Sequence, residues 1–463
     1  MMNFISRYFE QRKIDAFMTR CGLSKEDYTI NRDDMSVDVN TSVSIKGFGL
    51  AEIPIKFGRV FGSFDCSENG LKSLKNCPEK IDGAFDCSNN QLKSLEFGPK
   101  EVGPLREVNS TPYDCSHNQL MTAMVTGLAK MSYDCSHNQL TSLRGISNNI
   151  CRDLYCSNNA LRSFEYLPEC VSAINARYNQ ISSFCGLHQK TYFEIDLSLN
   201  HLESLDGCPA GIERLDVAFN KLKTLNGISE DSKLILLNVS FNTLASIEGC
   251  PKKLNDFDCS NNQLITLSGG PEQVVYFDCS SNALTSLVGG PKEITSPLGE
   301  YNASWNNLRT LEGAPKTLEN PFDFFAVAYN TELRNFDRLI CANGIHVGGT
   351  DVRLDECIEN MKYKNALAYS VEIQKPEMIS EGKAIDTTVV ELGRFTILDP
   401  KYEFTEKHPL RSWEERVKVR DTILMKEAME AKLATKTERI EDLSMAKAQS
   451  HTQSATRSGK RKI

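Results

Sequence analysis

The octapeptide YDCSHNQL stands twice in the chain, at 113–120 and 133–140. Each copy holds a thiol and an imidazole two positions apart, Cys115 with His117 and Cys135 with His137. That spacing suits half of a tetrahedral metal site, or a nucleophile beside its base. It suits equally one period of a repeating core, where burial alone chooses the residue types. The equivalent positions decide between these readings. They hold Cys66, Cys87, Cys156, Cys259 and Cys279, but also Ala176, Leu197, Val217, Val239, Ala303 and Val327. Valine replaces neither a ligand nor a nucleophile, whereas a buried free thiol behaves as a small hydrophobe. The cysteines are read as core residues, and no metal is expected. No phosphate-binding glycine loop, H-E-x-x-H, C-x-x-C pair or nucleophile elbow is present either. His188, His346, His408 and His451 have no evident partner in sequence. The chain is read as non-enzymatic, without catalytic residues or cofactor.

The elements that carry these residues form a long internal repeat. FDCSENGLKSL at 64, FDCSNNQLKSL at 85, LDVAFNKLKTL at 215 and FDCSSNALTSL at 277 align on one asparagine. That series is Asn69, Asn90, Asn118, Asn138, Asn159, Asn179, Asn200, Asn220, Asn242, Asn262, Asn282, Asn306 and Asn330, with steps mostly of 20 to 22. Counting from each asparagine, positions −5 and −3 are apolar, and +2 is Leu or Ile until the last copy. Alternation over so short a stretch marks a strand with one buried face. One parallel strand per 20-odd residues makes a solenoid, whose coils bury their faces only against neighbours.

In IDLSLNHL (195–202) the motif resembles the leucine-rich repeat, and the coil length with Pro in the return arm (NCPEKI, GCPAGI, GGPKEI) is similar to the short bacterial type. The wording of the coils also resembles repeat proteins encoded by tailed bacteriophages. The resemblance implies an α/β-type solenoid, a parallel strand ladder of about 13–14 coils with a helical N-terminal cap and an α+β or helical C-terminal extension. It further implies that each asparagine side chain bonds backbone groups of its own and the adjacent coil, and that partners bind the concave, outward strand face.

On that face, position −4 reads Asp65, Asp86, Asp114, Asp134, Tyr155, Asn175, Asp196, Asp216, Asn238, Asp258, Asp278, Asn302 and Ala326, with Ser at −2 in ten of thirteen copies. Carboxylates about 4.8 Å apart repel by roughly 0.9 kcal/mol in bulk water, little enough to need no cation. The column therefore reads either as a solvated face that keeps sheets from sticking together, or as a negative groove for a basic partner. Tyr155, Asn175, Arg177 and Tyr178 break it near the middle with residue types common at interface hot spots. They are the candidate contact patch, flanked by Asp114, Asp134, Asp196 and Asp216. Three longer steps, of 28 before Asn118 and 24 before Asn306 and Asn330, must leave the coils as loops, a second place for recognition.

The chain has 463 residues and a formal charge of −8. Residues 43–330 hold 24 Lys and Arg against 32 Asp and Glu, so the whole excess resides in the repeat. Nucleic-acid binding is accordingly not expected outside the basic tail. No window is apolar enough for a membrane span, and the start, MMNFISRYFEQRKIDAF, lacks a secretory apolar stretch. A soluble cytoplasmic protein is expected, in host cytoplasm if phage-encoded.

Residues 1–42 read as an N-terminal cap with a helix near 3–20, 43–330 as the solenoid, and 331–405 as a C-terminal cap or small module. A charged helix follows at 406–446, opened by the Ser412/Glu415 capping box, and then a basic disordered tail at 447–463. The function expected is recognition of a protein partner by the concave face or the long loops. The alternative is a structural part of a larger assembly, such as a virion. A ubiquitin-ligase-like effector is disfavoured, since Cys341 and Cys357 lack that family's Cys-x-Asp motif.

Overall fold

The computed structural model of the protein describes residues 4–103, 113–122, 132–146, 148, 152–296, 299–315 and 322–334, and the strands at 342–346, 369–374, 387–392 and 395–398. The inserts before Asn118 and Asn330 fall largely outside these residues, as do the charged helix and the basic tail, whereas the insert before Asn306 is described except at 297–298.

Short strands stack in parallel, one per coil, from Val43–Ser44 through Phe64–Asp65 and Phe85–Asp86 to Glu300–Asn302 and Phe322–Ala326. The register pairs equivalent repeat positions: Phe64 faces Phe85, Tyr155 faces Asn175, and Asp216 faces Asn238. The period of the sequence is thus also the register of the sheet.

Positions −5 and −3 are buried throughout, and +2 in every coil before the last, as in Phe64, Cys66 and Leu71 or Leu237, Val239 and Leu244. Their volumes compensate one another. Where −5 is aromatic, −3 is small: Phe85 with Cys87, Tyr133 with Cys135, Phe257 with Cys259, Tyr301 with Ala303. In the middle coils −5 becomes aliphatic, and −3 grows in three of them: Ile195 with Leu197, Leu215 with Val217, Leu237 with Val239. The aromatic rings form two spines, Phe64–Phe85–Tyr113–Tyr133 and Phe257–Phe277–Tyr301–Phe325, with neighbouring centroids 4.9 to 6.3 Å apart. A thiol beside such a ring fills a small space with a polarizable atom, so packing explains most of the cysteines. Leu154 beside Cys156, Ile174 beside Ala176 and Phe325 beside Val327 depart from the pattern. Cys170, outside this column, is disulfide-bonded.

Each strand ends in a turn whose −1 residue is left-handed, with φ between 51 and 58° in all thirteen coils although none is glycine. That conformation costs about 1–2 kcal/mol for a residue with a Cβ. The asparagine that follows offsets it. The Asn242 amide donates to the Val217, Val239 and Ser240 carbonyls (3.0, 3.0 and 3.1 Å), and its Oδ1 accepts from Leu222 N–H at 2.9 Å. The same four bonds recur from Asn69, which ties down Ile45 and Leu50 of a first coil without its own asparagine, to Asn330. In the return arm Gly313 has φ 95°, and a Cβ there would lie 2.2 Å from the Leu287 carbonyl.

Helix α1 (Phe4–Arg20) covers the first coil with Ile14, Phe17 and Met18. It closes on left-handed Gly22, whose N–H donates to Thr19 O while Leu23 N–H donates to Met18 O. A hairpin, Tyr28–Ile30 against Val37–Val39, then joins the second short sheet of the opening coils, running to Lys80–Ile81 and Glu101–Val102.

Parallel strand pairing continues past Asn330, where the asparagine series ends. Ala342–His346 pairs in parallel with Phe322–Ala326, and Tyr369–Gln374 with Ala342–His346, before the hairpin of Thr387–Leu392 and Phe395–Leu398. These strands lack the asparagine anchor that marks the earlier coils in sequence. Among the described residues no helix is long and apolar enough to cross a membrane.

Candidate interaction face

The outward face of the ladder carries two columns of side chains, at −4 and −1. At −4, each carboxylate has a structural duty. Asp65 Oδ1 accepts from the Ser67 N–H at 3.0 Å and its hydroxyl at 2.6 Å, and Asp196 from Ser198 likewise at 2.9 and 2.7 Å. Asp114, Asp134 and Asp216 accept the N–H two residues on at 2.8 to 2.9 Å. Asn238 and Asn302 do the same with an amide oxygen at 3.1 Å. In eleven of the thirteen coils −4 is Asp or Asn, which supplies the turn with an acceptor.

This also corrects the expectation for position −2. Most of those serines do not face solvent: Ser67, Ser88, Ser198 and Ser240 are buried, folded back by their bonds to the −4 acceptor.

Burial pushes the carboxyls of Asp86, Asp114, Asp134, Asp216 and Asp258 above the usual carboxylate range, and in most a neighbouring Asp adds to the effect. The Asn238 and Asn302 amides donate to Asp216 and Asp278 Oδ2 at 3.0 and 2.9 Å.

Tyr155, Asn175, Arg177 and Tyr178 lie together on two adjacent coils. Tyr155 is half-buried at −4 and faces Asn175 across the ladder. Asn175 Oδ1 accepts from Arg177 N–H at 3.2 Å, and the Arg177 guanidinium reaches across to Ser198 Oγ at 3.1 Å. Arg177 and Tyr178 are exposed. Asp114 and Asp134 occupy the two coils before this patch, Asp196 and Asp216 the two after it. An exposed cation and two phenols thus interrupt an acidic column.

The two cysteine–histidine pairs split as their positions require. Cys115 and Cys135 are fully buried, while His117 and His137 sit at −1 and stack on each other, centroids 4.0 Å apart. Burial pushes the ladder thiols up, away from nucleophilic use. Among the described residues no group of three His, Cys, Asp or Glu is arranged to hold a metal ion.

Sequence reasoning missed the −1 column as a surface. Tyr178 is 59% exposed, Phe219 43%, Phe241 44% and Trp305 55%. Phe219 stacks on Phe241 at 4.0 Å and Trp305 on Tyr329 at 3.9 Å. Period-2 alternation from the buried −5 and −3 positions would count −1 as core, and only the left-handed turn takes it out of that phase.

No family model matches the sequence, and neither does any curated protein. Among solved structures the chain is similar to YopM from Yersinia enterocolitica WA-314, at 20% identity and TM-score 0.41, over 67% of this chain and 88% of that one. It is also similar to the functional domain of InlJ from Listeria monocytogenes, described as including a cysteine ladder, at 17% identity and TM-score 0.42, over 71% and 72%. On its own coil length, asparagine ladder and parallel register, the protein has the fold of a leucine-rich-repeat solenoid.

Proposed function

We propose that the protein is a non-enzymatic scaffold that recognises a protein partner through the outward strand face, at the break in its acidic column. The observation that carries this is the grouping of Tyr155, Asn175, Arg177 and Tyr178 on two adjacent coils, with Arg177 and Tyr178 exposed. Elsewhere the Asp and Asn residues at −4 are occupied in holding their own turns. At the break, a tyrosine that makes no such turn bond takes the −4 place, and a guanidinium displaces the usual serine. Tyr and Arg contribute disproportionately to binding because they combine a large contact area with directed polar groups. The repeat offers a rigid frame in which such side chains keep fixed spacing.

The test is quantitative affinity capture from the native cytoplasm, comparing the intact chain with Tyr155→Ala/Arg177→Ala and with a truncation before residue 405. A partner lost with the double substitution and kept by the truncated chain is expected. A partner lost only on truncation would move recognition to the C-terminal region, as the assembly reading requires.

A further inference from the structure

We propose that the −1 column from Tyr178 to Phe241, with the acidic column beside it, is a docking surface for an amphipathic helix that carries Lys or Arg along one flank. This rests on the scaffold reading and names the class of partner it takes.

The fold does not ask for aromatic residues at −1. Asparagine adopts the left-handed conformation most readily of the non-glycine residues, and Asn158 and Asn261 hold the same position at either end of the row. Between them, four successive coils present Tyr178, Leu199, Phe219 and Phe241 instead. Three of these four are two-fifths exposed or more, and Phe219 and Phe241 lie parallel within 8°. The result is a continuous, preset apolar row on a surface that could have been polar.

Geometry selects the occupant. Coils follow one another at about 4.8 Å. A helix repeats its apolar face every 5.4 Å, and an extended segment every 6.6 Å or so. Over the three steps from Tyr178 to Phe241, the helix drifts out of step by about 2 Å and the extended segment by more than 5 Å. Width points the same way. The −4 and −1 columns are three residues apart along the chain, hence at most about 10 Å. A helix 10–12 Å across spans both columns, and a single strand covers one.

Charge sets the flank. Asp196 and Asp216 line the −4 side of the row and Asp258 the coil just beyond it, with Arg177 at the near end and Arg214 on the far side of the −4 column. The carboxylates of Asp216 and Asp258 are already penalised by burial, so a cation beside them is favoured. His201 and Lys221 follow the row on its other side. Basic residues therefore belong on one flank only.

The test is selection of displayed peptides on the full chain, using a helix-stabilised library of about four turns and an unstructured library of equal length. The expected winners come from the helical library, with apolar residues at i, i+3 or i+4, and i+7, and Lys or Arg along one side. Their affinity should fall at least tenfold for Phe219→Asn/Phe241→Asn, a change to the residue found at this position in other coils. It should also weaken with added salt and with Asp216→Asn/Asp258→Asn. Winners without helical period or basic flank, winners indifferent to Phe219→Asn/Phe241→Asn, or no enrichment at all would overturn the proposal. A partner that needs Tyr155 and Arg177 but is indifferent to Phe219→Asn/Phe241→Asn would leave the scaffold reading standing while removing this surface from it.

Discussion

Single residues in this protein are decided by position in the coil more than by chemistry. Asn242 shows the strength of one such position. Removing its side chain breaks four bonds and leaves the buried Leu222 N–H without a partner, while the Val217, Val239 and Ser240 carbonyls each keep one other donor, from Asn220, Asn262 and Phe219. At about 1 kcal/mol for each bond, and more for a buried group left unpaired, Asn242→Ala should cost about 3 kcal/mol or more. Denaturant titration would measure the loss, and hydrogen exchange should place it in the coils beside Asn242. The thiols make the opposite point. Native-state alkylation should modify Cys185, which is exposed, well before the buried column of Cys66, Cys87, Cys115, Cys135 and Cys156. Rapid labelling of that column in the folded protein would contradict its role as packing.

At the scale of the strand, neighbouring positions answer one another. Cys259→Leu should cost about 1–3 kcal/mol by overpacking against Phe257. Phe257→Leu in the same chain should recover part of that loss, because Leu237 beside Val239 shows the core accepting an aliphatic pair. Strict additivity in that double-mutant cycle would remove the volume account of the cysteines. The −4 column makes a prediction in pH. Asp114 and Asp134 have folded pKa values above those of the unfolded chain, mainly through burial. Between the ordinary carboxylate value and the raised one, the folded state holds more protons, so stability falls as pH rises through that window. Asp114→Asn/Asp134→Asn keeps the turn acceptor, as Asn238 does, and should raise Tm at pH 7. The advantage should shrink as pH drops through the raised carboxylate range. In the cap the sign reverses: Lys56 and Ser36 hold the Asp34 carboxyl down to about 2. Its contribution is present above the ordinary value and is lost as pH falls towards 2.

Over the whole molecule, the repeat was legible because buried positions recur in phase and the asparagine never varies. Thirteen coils could be read from one residue type, and the N-terminal helix from its break into alternating strands. The continuation past Asn330 was not legible, since backbone pairing leaves no mark where the anchor is missing. Nor was the buried state of most −2 serines: period-2 alternation places them outward, and only the bond to the −4 acceptor turns them in. The aromatic row at −1 was hidden for a third reason, that its left-handed turn falls outside both helix and strand periods. The acidic column looked like an electrostatic device, and the structure gives it a turn-capping role first. Tyr155 caps no turn and Arg177 replaces the usual serine, and recognition is placed at that break.

The most direct test is the dissociation constant between the purified intact chain and the partner it captures, set against that of Tyr155→Ala/Arg177→Ala. The account predicts a loss of at least tenfold, about 1.4 kcal/mol, with unchanged thermal stability of the solenoid. Equal affinity for the two chains would contradict it and place recognition elsewhere on the molecule.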